Sequence, residues 1–191
     1  MAEHPQEAAL PDGALSEWKP SKATVRAWTI LSIPIFLVGL DIYAAAASGG
    51  HSSGTAGFGQ VMLFLALATV LTVVLMCIHE GVHGIALAGF GAKPEFGILK
   101  IGGLVAGMYT TSPGVRFSRR QYLVICLAPL AILAPLGIPA CMLPSGGYLV
   151  LPFAAHLAGC IGDTTIAWHV LRGPSDVVCE DLRDGLRLWR A

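Results

Sequence analysis

The strongest constraint on this chain is the length of its uncharged apolar runs. Residues 122–143 contain no Asp, Glu, Lys or Arg; residues 60–90 contain only Glu80, residues 148–171 only Asp163, and residues 25–47 only Arg26 and Asp41. As a helix, a run of about 20 apolar residues crosses a hydrocarbon core of about 30 Å, and a water-soluble core does not call for four of them. The sequence predicts an all-α polytopic membrane protein with four transmembrane helices over about residues 25–47, 60–90, 122–143 and 148–171. Residues 1–24 read as a flexible cytoplasmic leader, 25–171 as the membrane domain and 172–191 as a cytoplasmic tail.

Orientation follows from the basic residues, since loops rich in Lys and Arg stay cytoplasmic. Lys19, Lys22 and Arg26 precede or open the first span; Lys93, Lys100, Arg116, Arg119 and Arg120 lie between the second and third; Arg172, Arg183, Arg187 and Arg190 follow the fourth. The connections around His51 and Pro144 carry none, so both termini are expected in the cytoplasm. The arginines at 116, 119 and 120 are expected to meet lipid phosphates. A signal-peptidase site after Ala47 is disfavoured, because a polar leader precedes an apolar stretch longer than the 7–15 residues usual for such peptides. Twelve basic and twelve acidic residues balance, which gives no electrostatic handle for nucleic acid. Of the five cysteines, four (Cys77, Cys126, Cys141, Cys160) fall in the spans and Cys179 in the tail, which argues against a disulfide framework.

The second span contains His79-Glu80-Gly81-Val82-His83, an H-E-x-x-H pattern. Residues four apart on a helix lie one turn above each other on one face, so both imidazoles can take adjacent corners of a zinc tetrahedron. Glu80, beside the first of them, is then placed to act as the base toward a metal-activated water. Three titratable residues within five positions of a span need a functional reason, because each is costly in the membrane.

A zinc site needs a further ligand. The metzincin continuation fails, with Ala86 and Gly89 at its diagnostic positions, and Glu95 lies beyond the helix-breaking Gly91. Asp163 is the best candidate, an intramembrane carboxylate that a metal would compensate. At 1.5 Å per residue, His79 lies about 28 Å from the start of its span and Asp163 about 22 Å from the start of its own, so both fall in the cytoplasmic half. His156 and Cys160, on the faces near Asp163, could support the ligands from behind, with a plain interhelical hydrogen bond favoured for His156. Asp41 has no partner evident in the sequence.

Between the second and third spans, Glu95 to Ile101 and Leu104 to Thr111 read as extended segments around Gly102-Gly103, a cytoplasmic β-hairpin. Its edge could hold an extended substrate, with Phe96, Gly102 and Gly103 as candidate substrate-binding positions. Ser118 followed by Gln121 matches a capping box opening the third helix.

An H-E-x-x-H on one membrane helix and an Asp on a later one resemble the site-2-protease class of intramembrane metalloproteases. The order H-E-x-x-H-G, Lys93-Pro94-x-Phe96-Gly97, Gly102-Gly103, Ser112-Pro113-Gly114, Ser118-Arg119-x-Gln121-Tyr122, Ala128-Pro129, Gly162-Asp163 and Pro174 is similar to a family of small four-helix bacterial and archaeal proteins classed as zincin peptidases. The similarity covers about residues 60–185. It implies one Zn2+ held by His79, His83 and Asp163, Glu80 as catalytic base, and a prokaryotic cell membrane as location. Thr164 follows the Asp where site-2 proteases usually have Gly. The expected activity is hydrolysis of peptide bonds in membrane or membrane-proximal proteins. The alternative is a non-catalytic, metal-stabilised membrane scaffold or binding protein. A diiron oxygenase ranks last, because His4, His51 and His169 are scattered.

Overall fold

The computed structural model describes residues 10–48, 57–101, 104–183 and 185–190. Four segments are long and apolar enough to cross a membrane: α1 (Lys22–Ala47), α2 (Phe58–Gly89), α3 (Arg119–Cys141) and the stretch Gly146–Arg172. Their outward faces are apolar, with Ile30, Leu63, Val73 and Ile85 each more than half exposed, a pattern suited to lipid rather than water.

Helix ends follow local chemistry. Ser21 caps α1 by accepting from the Thr24 backbone N–H at 3.1 Å. Ser118 and Gln121 form the expected capping box at the start of α3, the Ser118 N–H donating to the Gln121 side chain at 2.9 Å. The fourth segment is not one continuous helix. A 3-10 turn at Gly146–Leu149 leads into α4 (Val150–Gly159), and Cys160 interrupts the run before α5 (Ile161–Arg172). Asp163 therefore sits in the first turn of a helix, where the backbone dipole favours a carboxylate.

In the bundle α4 packs against α1, α2 and α3. Close packing there depends on Gly137: a Cβ at that position would lie 2.6 Å from the Tyr43 ring and 2.7 Å from Phe153. With no side chain in the way, Tyr43 reaches across to donate to the Ala134 carbonyl at 3.0 Å.

The strands require a correction to the all-α expectation. The segments β2 (Glu95–Ile101) and β3 (Leu104–Thr111) pair antiparallel as a separate two-stranded sheet; the glycines expected at their turn, Gly102 and Gly103, lie outside the described residues. A second, four-stranded sheet has the order β1-β6-β5-β4, built from β1 (Ala14–Trp18), β4 (Arg116–Ser118), β5 (Val177–Leu182) and β6 (Gly185–Arg190), all antiparallel. Part of the stretch read as a flexible leader is thus an edge strand, and the tail is a hairpin. The cause is period-two patterning: Val177 and Cys179, then Leu186 and Leu188, turn inward onto Phe117, Tyr122, Leu87 and Val170. Burial pushes the Cys179 thiol up to about 12, in keeping with a structural rather than reactive cysteine.

At the sheet edge Arg187 donates to Glu17 through Nε at 2.9 Å and Nη2 at 2.6 Å. That pairing holds the Glu17 carboxyl below its ordinary range and the guanidinium above its own. Two of the arginines expected at lipid phosphates also have protein partners. Arg116 stacks 3.5 Å over the Trp189 ring, and Arg119 donates to the Leu171 carbonyl at 2.6 Å.

Candidate metal centre

Helix α2 carries His79 and His83 one turn apart on its buried face, and α5 brings Asp163 to meet them. His79 Nε2 lies 3.2 Å from His83 Nε2 and 3.3 Å from Asp163 Oδ2, and His83 Nε2 lies 3.6 Å from Asp163 Oδ1. In a zinc tetrahedron with bonds of about 2.0–2.2 Å, ligand atoms stand about 3.3–3.6 Å apart, so the three donors fit a single ion. The tautomers fit as well. His83 Nδ1 lies 2.8 Å from the Ile125 carbonyl, which can only accept, so Nδ1 carries the proton and Nε2 keeps its lone pair for the shared point.

His79 is supported on its other side by His156, whose Nε2 lies 3.1 Å from His79 Nδ1. With His79 Nε2 turned to the shared point, Nδ1–H donates to His156; His156 Nδ1 is then left buried without a partner among the described residues. Cys160 Sγ lies 3.8 Å from the same His156 nitrogen. The trio His79, His156 and Cys160 could also hold a metal. It is sealed in the core, however, with His156 and Cys160 at 0% and 2% exposure, whereas His83 and Asp163 line an open cleft. Only the first trio has members, His83 and Asp163, that open onto the cleft.

That cleft, of about 590 Å³, runs from the helices to the sheets. Its lining includes Glu80, Met108 to Thr111 of β3, Tyr122 of α3, Trp18 and Trp28, and Asp181 of β5. Glu80 lies outside the donor trio and is held by Thr110, whose hydroxyl donates to Oε2 at 2.7 Å. Phe96 does not line the cleft. It lies against Gly84, where an added Cβ would come within 2.6 Å of the ring, and so fastens the hairpin to the helix turn that follows His83. Asp41 is exposed on α1 and pairs with nothing among the described residues. His169 packs against Trp18, the ring centroids 4.5 Å apart and the planes tilted by 38°.

Sequence reasoning missed Thr110, Tyr122 and Asp181. Thr110 could have been found from the strand register beside α2, whereas Asp181 in a charged tail resembles any solvated acid. Tyr122 donates to Asp181 Oδ1 at 2.8 Å, and Thr111 donates to the Asp181 backbone carbonyl at 3.3 Å. Burial raises the Asp181 carboxyl from 3.8 to about 6, against the smaller lowering by those hydroxyls. A raised acid stabilises the fold fully below pH 3.8, and that contribution is lost as pH rises through about 6. Lowering the pH from 7 to 5 should therefore raise the melting temperature more in the wild type than in Asp181→Asn, read by differential scanning fluorimetry in detergent. Equal changes would contradict the assignment.

No curated protein and no solved structure matches the chain. A family model described as "Putative zincin peptidase" matches residues 72–178, more than half of the 191 residues, and spans His79, Glu80, His83 and Asp163. The chain belongs to this family, and zinc and peptide hydrolysis are the cofactor and the reaction class that membership implies.

Proposed function

We propose that the protein is an intramembrane zinc metallopeptidase of the site-2-protease kind, with His79, His83 and Asp163 as metal ligands and Glu80 as general base. The observation that carries this reading is the convergence of three donor atoms within 4.8 Å of one another from two helices, beside the Glu80 carboxylate in an open cleft. Zinc bound there would act as a Lewis acid on the scissile carbonyl and bring a water's pKa down toward about 7. Glu80, steadied by Thr110, is the group that takes the proton and hands it to the leaving amine.

The cleft also suits an extended peptide. Strand β3 pairs only with β2 among the described residues, and its residues Met108 to Thr111 lie along the cleft. A segment added to that free edge would be held by main-chain hydrogen bonds with its peptide bond accessible, which a helical segment does not offer. All twelve Lys and Arg fall before residue 27, between residues 93 and 120, or after residue 171, which supports a cytoplasmic face for the sheets and the cleft mouth. The substrates in this reading are membrane or membrane-proximal proteins.

Purified protein in detergent, incubated with a pool of quenched-fluorescent transmembrane peptides, tests the reading. Cleavage should stop on dialysis against 1,10-phenanthroline and return with zinc. Cleavage that survives complete metal removal would contradict it.

A further inference from the structure

We infer that the cleft contains a subsite for a cationic group of the substrate, an ammonium or guanidinium, built on Asp181. This inference rests on the peptidase reading above and adds to it a preference among substrates.

Asp181 stands at the end of β5 in the wall of the cleft that also holds Glu80, His83 and Asp163. It is fixed in place: Tyr122 donates to its carboxylate, and Thr111 ties its backbone to β3, the strand along which a substrate would lie. Among the described residues no Lys, Arg or His forms an ion pair with it. The neighbouring cations are engaged elsewhere, Lys19 with Glu17 at 3.3 Å, Arg183 with Glu95 at 3.5 Å, and Arg187 with Glu17 and Glu180. If zinc is bound, its two charges are matched by Asp163 and Glu80; Lys19 and Arg183 also line the cleft but pair with Glu17 and Glu95, which leaves Asp181 without an ion-pair partner among the described residues.

The rest of the wall fits the same ligand. Trp18 and Trp28, their rings 6.3 Å apart, line the cleft and offer aromatic surface. Trp28 is anchored by donating to Thr165 at 2.9 Å. A carboxylate together with aromatic faces recognises ammonium and guanidinium groups, and the rings also take the apolar stem of a Lys or Arg side chain. Two sources could supply the cation: a basic side chain near the scissile bond, which membrane proteins carry at the cytoplasmic ends of their helices, or a free peptide α-amine.

Peptide hydroxamates, which bind through the metal and need no turnover, separate these sources. Calorimetric titration of the zinc-loaded protein would compare acetyl-Leu-Lys, acetyl-Leu-norleucine and unacetylated Leu-norleucine hydroxamates. The lysyl ligand or the free-amine ligand should bind about tenfold tighter than the neutral acetylated one, and which of them gains identifies the source. That gain should vanish in Asp181→Asn, persist in Asp181→Glu, and give way to a preference for acetyl-Leu-Glu hydroxamate in Asp181→Lys. Equal affinities in the wild type, or a cationic preference retained in Asp181→Asn or Asp181→Lys, would overturn the subsite and leave the peptidase reading standing. Failure of all three hydroxamates to bind the zinc-loaded wild type would overturn both.

Discussion

Glu80→Gln should keep its zinc and lose roughly 10²–10⁴-fold in kcat, the range expected when a general base is removed. The substitution is nearly isosteric. The Thr110 hydroxyl that now donates to Oε2 at 2.7 Å can donate equally to an amide oxygen, so the side chain should stay where it is. What disappears is basicity. Zinc should stay because Glu80 is not among the converging donors, which are His79, His83 and Asp163. Zinc content by mass spectrometry and cleavage of the transmembrane peptide pool, measured on one preparation, separate the two effects. A variant that cleaves at the wild-type rate would remove Glu80 from the chemistry, and one that loses its metal would make it a ligand.

Trp189→Ala should lose about 3–5 kcal/mol from the sheet that closes the cleft, the usual cost of truncating a buried tryptophan. Trp189 is 7% exposed on β6, and its indole N–H donates to Glu180 Oε2 at 2.8 Å while Arg116 stacks on its ring. Removing it opens a cavity, leaves Glu180 without that donor and strips Arg116 of its aromatic partner. By comparison, the Glu17–Arg187 pair at the sheet edge, with both side chains about a fifth exposed, contributes on the order of 1 kcal/mol or less. The sheet is therefore held by its apolar face and Trp189 more than by its surface charges. Tryptic cleavage within residues 183–190 should become fast in Trp189→Ala under conditions where the wild type resists. Unchanged resistance would contradict this account of the sheet.

The four long apolar segments were legible because charge is so costly in hydrocarbon that its absence marks them plainly. Two carboxylates retained inside such segments, Glu80 and Asp163, pointed to one place for the same reason. Counting residues along each span left an axial offset of about 6 Å between His79 and Asp163. The folded chain brings His79 Nε2 and Asp163 Oδ2 to 3.3 Å, with a helix interrupted at Cys160, a feature that hydropathy does not reveal.

The four-stranded sheet was hidden for two reasons. Its strands are three to six residues long, and the inward alternation of Val177 and Cys179, or Leu186 and Leu188, is masked by interleaved acids and arginines that resemble a solvated tail. Pairing Glu17 with Arg187 also joins positions 170 apart, which no local pattern encodes. Thr110 and Asp181 stayed unread for the related reason that their roles depend on strand register and on which wall of the cleft each strand forms.

The most direct test of the metal centre is the zinc content of detergent-purified wild type, His79→Ala and Asp163→Ala, each checked for helicity by circular dichroism. The wild type should carry one zinc per chain. Each variant, deprived of one of three convergent donors, should bind zinc on the order of 10²–10³-fold more weakly and be recovered nearly metal-free. Stoichiometric zinc retained by both folded variants would contradict the site.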